Sequence, residues 1–398
     1  TTSPSGELVL DIVQPVQPQP TEAMEAQRPI ILMIDAFFPR PDQDSGSLDQ
    51  LNFAKIFQRL GYDVAFASLL EFGVENDASR ALTDIGVTCL SSKNYLNIEE
   101  YIFLNVERIN AFFLSRFNFG GNWIRTARTL CPQAQVIFNT VDLHHIREER
   151  QALLFHDSNA LEQAKIVREA ELRCIREADV SIVVSKVEQT MLDEIVPEAD
   201  VRMVPLIREV SSRSLPSFEE RNGIVFVGGF QHMPNVDAVE YFLDEIWPMI
   251  HAEDPTLKFH VIGSHLPEKL SNRAEPNVEW LGYVPELEPW LDRMRVAVAP
   301  LRFGAGAKGK IVSSLLNGVP CVASGVATEG MGFAEGHGVM TADSPATFAK
   351  QVLQLHKQQK NWLEVSQKGF TAVSDNYSLD RGVEIIEQFL PRILIETN

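Results

Sequence analysis

The stretch "PLRFGAGAKGKIVSSLLNGVP" (300–320) concentrates residues whose types and spacing suit phosphate chemistry. Gly304, Gly306 and Gly309 satisfy the G-x-G-x-x-G spacing of a dinucleotide fold, and Gly304, Gly309 and Lys310 satisfy G-x-x-x-x-G-K, the start of a triphosphate loop. The dinucleotide fingerprint belongs to the first βαβ unit of its domain, whereas the preceding run "VAVAPL" reads as about the fourth strand of the second half. Glu329, a candidate ribose acid on that reading, falls beyond the tip of the next strand. The triphosphate loop needs Ser or Thr after its lysine to hold magnesium, and Ile311 stands there. What survives is a strand running into a glycine-rich loop that opens a helix. Backbone N–H groups then point at the loop mouth, small residues admit a phosphate, and Lys308 and Lys310 add charge. A cradle for the diphosphate of a sugar nucleotide is the third reading; a surface helix start with two solvated lysines is the bland one.

A second cluster is "DLHH" (142–145), which places Asp142, His144 and His145 at a strand end beside Arg147. A zinc site would need more ligands at helical spacing, so no metal is expected, and a helix-capping Asp with surface histidines is the alternative. Arg116 ends the strand-like "FFLSRF", and "DQD" (42–44) reads as an acidic turn before a helix.

The elements that must position these residues alternate throughout. "IILMIDA" (30–36) is a buried strand by length and composition; in the stretch after it Ser47 and Gln50 fit a capping box and Gly61 a helix stop. "YDVAFAS", "NAFFLSRF", "AQVIFNTVD" and "VSIVVS" are further strands, separated by helical stretches near 97–107, 122–130, 145–178 and 186–196. After a polar stretch at 207–223 the alternation restarts with "IVFVGG", a helix at 235–251, "LKFHVIG", "VEWLG", a helix at 286–294, "VAVAPL", the loop and its helix, and "PCVAS". Helices near 344–358, 360–374 and 379–395 finish the chain. The expected fold is α/β, two doubly wound Rossmann-like domains facing a cleft, with ligands beyond the carboxyl ends of the strands. The boundaries are a tether at 1–28, an acceptor-side domain at 29–206, a linker at 207–222, a donor domain at 223–375 and a C-terminal helix at 376–398 packing back on the first domain.

The bulk numbers agree with that size. A chain of 398 residues exceeds one ordinary core, and no apolar run or leader segment suggests a membrane span or secretion. With 35 basic against 54 acidic residues the net charge is −19, which excludes nucleic acid as a bulk partner and requires a local cluster for any anion. Cys89, Cys131, Cys174 and Cys321 are scattered, as expected of reduced core thiols in a cytoplasmic protein. Residues 1–28 are rich in Pro, Gln and Glu, and the absence of an initial Met is read as processing or excision from a longer polypeptide.

The stretch "FGAGAKGKIVSSLLNGVPCVASGVATEGM" (303–331) resembles the donor-site segment of retaining glycosyltransferases of family 4, in the GT-B fold, and in particular a bacterial polysaccharide-synthesis subgroup. "FVGGFQHMPNVDAVEYFLDEIWP" (226–248), "IDAFFPRPDQDSGS" (34–47) and "TVDLHHIREER" (140–150) resemble other segments of that group, in the same order. The resemblance implies a metal-independent transfer of a hexosyl or deoxyhexosyl group from a nucleoside-diphosphate sugar to a glycan or lipid-linked acceptor, with no cofactor beyond the donor. It places the diphosphate near Gly228, Gly229, Gly304, Gly306, Lys308 and Lys310, the base near Tyr283, and the ribose near Glu329. Ser45, Gly46 and Ser47 would approach the transferred sugar or acceptor, Asp142 and His144 the sugar hydroxyls or reacting centre, Arg147 a phosphate, and Arg116 the same cleft. Peripheral membrane or multidomain association also follows from it.

The chain departs from the wider family at three places. Gly229 stands where an Arg is usual, and Ala305 and Ser313 stand where two glutamates are usual. His232 is a candidate replacement for the missing phosphate contact, or a cap for the following helix. These departures leave open a non-catalytic module that binds nucleotide sugar or glycan, and a sugar-nucleotide epimerase.

Overall fold

A computed structural model describes residues 27–42, 45–333 and 335–393. The tether therefore lies outside the described residues apart from Gln27 and Arg28, as do Gln43 and Asp44 of the acidic turn and residues 394–398.

Within the described residues the chain builds two parallel sheets. The first contains β1 (Ile30–Asp35), β2 (Asp63–Ser68), β3 (Thr88–Cys89), β4 (Ile109–Ser115), β5 (Gln135–Asn139), β6 (Val180–Val183) and β7 (Val201–Met203), in the order β3-β2-β1-β4-β5-β6-β7. Its helices are α1 (Ser45–Arg59), α2 (Asp77–Asp84), α3 (Ile98–Leu104), α4 (Ile124–Leu130), α5 (His144–Leu154), α6 (Ser158–Glu177) and α7 (Lys186–Ile195). The second sheet contains β8 (Ile224–Val227), β9 (Phe259–Ile262), β10 (Val278–Gly282), β11 (Val296–Ala299), β12 (Cys321–Ala323) and β13 (Val339–Thr341), in the order β10-β9-β8-β11-β12-β13. With it go α8 (Met233–Tyr241), α9 (Trp247–Glu253), α10 (Glu268–Ser271), α11 (Glu288–Leu291), α12 (Gly309–Leu316), α13 (Gly325–Thr328), α14 (Pro345–Lys357), α15 (Gln359–Tyr377) and α16 (Leu379–Ile386).

In each sheet the chain starts in the middle, works outward, and then crosses back to continue on the other side. The reversals lie between β1 and β4 and between β8 and β11, where loops leave the strand ends in opposite directions and open a crevice. A strand buried on both faces reads as an unbroken apolar run, and β1 shows why. Ile30, Leu32 and Ile34 enter one core, and Ile31 and Met33 enter the core on the opposite face.

Local chemistry explains where the helices depart from expectation. The helix expected over 145–178 is two, because the chain turns at His156, whose φ is +55°, and Asp157 restarts it by accepting from the N–H groups of Asn159 and Ala160 at 3.0 Å. The second-domain helix runs on from α8 into α9 through a π-turn at Phe242–Ile246. Pro248 follows after Trp247; a proline lacks the N–H that would close the ordinary α-turn there. The helix expected at 286–294 is the single turn of α11, and that expected at 379–395 ends at Ile386. The expected capping box at Ser47 and Gln50 is a correction too: α1 starts at Ser45, and Gln50 is buried with its Nε2 donating to Ser115 Oγ at 2.6 Å. Strands β3, β7 and β13, two or three residues each, carry too little periodicity to be read from sequence.

The C-terminal segment joins the core of the first domain through Leu379, Val383, Ile386 and Leu390. A Cβ on Gly382 would lie 2.6 Å from Ile56 Cδ1, so the absent side chain is what lets α16 close on α1. Gly263, at the end of β9, holds the second domain's first loop just as tightly: a Cβ there would stand 1.9 Å from the Gly228 carbonyl oxygen, which is backbone and cannot swing away. Gly263→Ala is expected to destabilise the protein by about 1–3 kcal/mol in urea unfolding, through overpacking at the loop that carries Gly228 and Gly229.

Candidate functional site

Two helices begin at one place in the crevice. α1 starts at Ser45 after β1, and α12 starts at Gly309 after β11, so each N-terminus carries backbone N–H groups without intrahelical partners. A Cβ on Gly309 would lie 2.0 Å from Ser45 Oγ, which measures how closely they meet. Arg208, buried in the linker, lies at that meeting point: one guanidinium nitrogen donates to Ser45 Oγ at 2.5 Å and would stand 2.9 Å from a Cβ on Gly309, while the other pairs with Asp49 of α1.

The loop between β11 and α12 is shaped by its own lysine. Gly304 and Gly306 adopt φ values of +149° and +67°, where an L side chain is strained. Lys308 Nζ donates to the carbonyls of Ala305 at 2.7 Å and Gly306 at 2.5 Å, folding the loop around its ammonium. Lys310 reaches the other way, to the Asn235 side-chain oxygen, with Nζ 4.3 Å from the centre of the Phe226 ring. Asn235 in turn donates to the Gly229 carbonyl at 2.7 Å, and Gly228 lies against its side-chain amide. Thus Gly228, Gly229, Gly304, Gly306, Lys308 and Lys310 gather around one recess.

Electrostatics distinguishes the lysines from the other cations there. Arg116 pairs with Asp35, Arg147 with Asp142, Arg150 with Glu329 and Arg208 with Asp49. Lys308 and Lys310 rest on neutral oxygens. Burial pulls Lys308 down to about 8 against the opposing charges of Glu188 and Asp142, and burial with the Lys308 charge pulls Lys310 down to about 7. Two half-buried ammonium groups held below their ordinary pKa by burial would both be favoured by a bound anion.

The opposite wall is the end of β5 and the start of α5. Val141 has φ +67°, an uncommon conformation for a β-branched residue, held by the Asn139 side chain accepting its N–H at 3.2 Å. That turn presents Asp142, whose Cβ lies 3.0 Å from a Cβ built on Gly306. His144 and His145 open α5, and Glu171 from α6 takes both of their backbone N–H groups at 2.9 Å and both Nδ1 atoms, at 3.1 and 2.6 Å. Burial alone would raise the Glu171 carboxyl, but the hydrogen bonds from His144 and His145 hold it at about 2. Burial lowers the His144 pKa, yet the Glu171 hydrogen bond and Asp142 charge outweigh it and the net shift is upward. Burial would raise the half-buried Asp142 carboxyl, but Arg147 and His144 hold it below its ordinary value.

Two of the remaining sequence candidates, Glu329 and Tyr283, are already paired. Glu329 forms a two-point ion pair with Arg150, at 2.6 and 3.0 Å, and Arg150 also donates to the Gly304 carbonyl at 2.8 Å. Tyr283 exposes its ring and donates its hydroxyl to Asp42 Oδ2 at 2.5 Å, across the crevice. Gly46 and Ser47 lie in the first turn of α1, beside Ser45. Ala305 packs on the first-domain core, and Ser313 lies inside α12. His232 is exposed at the N-cap position of α8 and makes no side-chain cap bond there. Among the described residues no group of three or more His, Cys, Asp or Glu is set to hold a metal ion, and no helix is long and apolar enough to cross a membrane.

Sequence reasoning missed Arg150, Glu171, Glu188, Arg208 and Asn235. Glu188 had one local signal, the S-x-x-E spacing of Ser185 to Glu188, and that spacing ordinarily means only a helix cap. The others carry no motif; only the packed tertiary structure brings them to the loop.

Residues 221–358 match the family described as Glycosyl transferases group 1. An uncharacterized 44.6 kDa protein in the cps region of Klebsiella pneumoniae is 24% identical over 163 residues, which span 39% of this chain and 42% of that relative. Among solved structures, a TarM variant of S. aureus in complex with fondaparinux, α-GlcNAc-glycerol and UDP has a TM-score of 0.71 at 10% identity, covering 91% of this chain and 99% of that one. Anabaena HepE in complex with UDP-glucose has a TM-score of 0.68 at 12% identity, covering 92% and 100%. Sucrose-phosphate synthase from Thermosynechococcus elongatus has 0.66 at 13%, covering 91% and 98%. The two Rossmann-like domains therefore have the GT-B arrangement.

Proposed function

We propose that this chain is a GT-B glycosyltransferase. It moves a glycosyl group from a nucleoside-diphosphate sugar to a hydroxyl of a glycan, lipid-linked or protein-linked acceptor, with retention at the anomeric carbon and without a metal. The observation that carries the reading is the pair of lysines resting on neutral oxygens where the N-termini of α1 and α12 converge. In a chain of net charge −19, that is a local site for a diphosphate. The partial family match, the UDP-glucose complex of HepE and the cps-region relative support the donor class and a role in bacterial surface polysaccharide or glycoconjugate synthesis.

On this reading the diphosphate lies across Gly228, Gly229 and the 304–310 loop. Lys308 and the loop N–H groups stabilise the charge that grows on the leaving group as the glycosidic bond breaks. The departing diphosphate takes the acceptor proton on the same face, so the protein need not supply a strong base. Asp142 and His144 orient the transferred sugar, their side chains fixed by Arg147 and Glu171. Ser45, Gly46 and Ser47 line its approach, and the Arg150 contacts with Gly304 and Glu329 hold the loop against α5 so that water is excluded.

The test is a thermal-shift screen of UDP-, GDP-, ADP- and dTDP-sugars, followed by product analysis with the best hit. Expected is stabilisation by one donor class, slow hydrolysis of that donor, and glycosyl transfer when an acceptor is added. Binding without hydrolysis or transfer points to a binding module, and an epimerised donor to an epimerase. No binding at all overturns the donor reading.

A further inference from the structure

Glu188 stands third in α7, its backbone N–H donating to Ser185 Oγ at 3.2 Å, as in an ordinary capped helix. Its carboxyl, on which the Ser185 hydroxyl and the Leu143 backbone also act, reaches beyond that cap. It is 4% exposed, its Oε1 accepts the Gly306 N–H from the other domain at 3.1 Å, and its Oε2 has no hydrogen-bond partner. The charges around it are Asp142 from the β5–α5 turn and Lys308 from the loop, with Arg150 and Glu329 acting on Lys308 in turn. Burial, then the Asp142 charge, push the Glu188 carboxyl up to about 7 against the pull of Lys308. A buried carboxylate thus sits on a backbone amide of a loop whose two lysines form no ion pair among the described residues.

We propose that Glu188 is a donor-site residue that stands in for a phosphate oxygen. Its carboxylate holds the Gly306 amide in the unliganded loop and is released as the neutral acid when a nucleoside diphosphate takes that amide. The inference rests on the donor reading above and adds a condition to it. A phosphate oxygen and an ionised Glu188 cannot share the amide without a costly like-charge contact, so binding takes one proton from solvent to Oε1 or Oε2. The Gly306 N–H passes from carboxylate to phosphate, and nothing else changes hands. Donor affinity therefore rises as pH falls through the Glu188 pKa. Lys308 and Lys310 also take up protons beside a bound anion, and loss of the Glu188 charge enlarges the Lys308 uptake, so the difference between parent and variant is a lower bound on the Glu188 share.

The experiment is titration calorimetry with UDP, GDP, ADP and dTDP at pH 8 and pH 6, each in two buffers of different ionisation enthalpy. Glu188→Gln keeps the shape and an acceptor oxygen for Gly306 while removing the charge; Glu188→Ala removes both. Both variants are expected to bind the preferred nucleotide about tenfold more tightly than the parent at pH 8, the equivalent of one pKa unit. They should take up fewer protons there, by up to one, and converge with the parent at pH 6. Parent binding with either folded variant no tighter at pH 8 and with the same proton uptake overturns this inference alone. A parent that binds none of the four nucleotides overturns the donor reading and this inference together.

Discussion

Lys308→Ala is expected to lower turnover by roughly 10²–10³-fold, the usual cost of removing one donor to a developing negative charge. The ammonium stands where the loop bends, donating to the Ala305 and Gly306 carbonyls, and no carboxylate forms an ion pair with it among the described residues. A bound diphosphate would offer it a stronger partner than those neutral oxygens, and the partner gains charge as the sugar departs. The loss should therefore appear mainly in kcat, with a smaller effect on donor affinity. Lys308→Met, which keeps most of the stem, should behave like Ala if charge is the cause. Donor hydrolysis rates together with UDP calorimetry check both points. A Lys308→Ala protein that binds and turns over normally removes the leaving-group assignment.

Glu171→Ala should cost stability rather than a catalytic contact. One buried carboxylate serves the backbone N–H groups and ring nitrogens of both His144 and His145, and it is 1% exposed. Removing one partner of such a buried charged network typically costs about 3–5 kcal/mol, because the other groups stay buried without compensation. Urea unfolding at pH 6 measures it. The pH dependence follows from the two shifts. Glu171 is depressed from 4.5 to about 2, so its contribution is present above pH 4.5 and is lost as pH falls toward 2. His144 is raised from 6.5, so its contribution is complete below pH 6.5 and is lost as pH rises through its folded value. The gap between parent and variant is widest between those limits and closes toward pH 2. Any drop in activity should follow the fraction of α5 correctly started, since among the described residues Glu171 reaches the crevice through His144 and His145.

Much of this molecule is legible in its residue order. Apolar runs such as "IILMID" and "VAVA" must be strands covered on both faces, and their alternation with amphipathic stretches gives two doubly wound domains. The string "GAGAKGK" after such a strand likewise dictates a small-residue loop, a helix start and two cations at its mouth. Those are local properties, carried by neighbours within a turn or two. The opposite wall is not local. Arg150 meets Gly304 across 154 positions and Glu188 meets Gly306 across 118, and no periodicity encodes which acid will face which amide. Likewise "SKVE" reads as a helix cap and is one, while its carboxylate also accepts from the other domain. Neighbouring residues are enough to set the glycine-rich loop and the sheet that carries it. That the lysines rest on neutral oxygens and that a first-domain carboxylate accepts from the loop follows instead from how two separately folded sheets present their strand ends to each other.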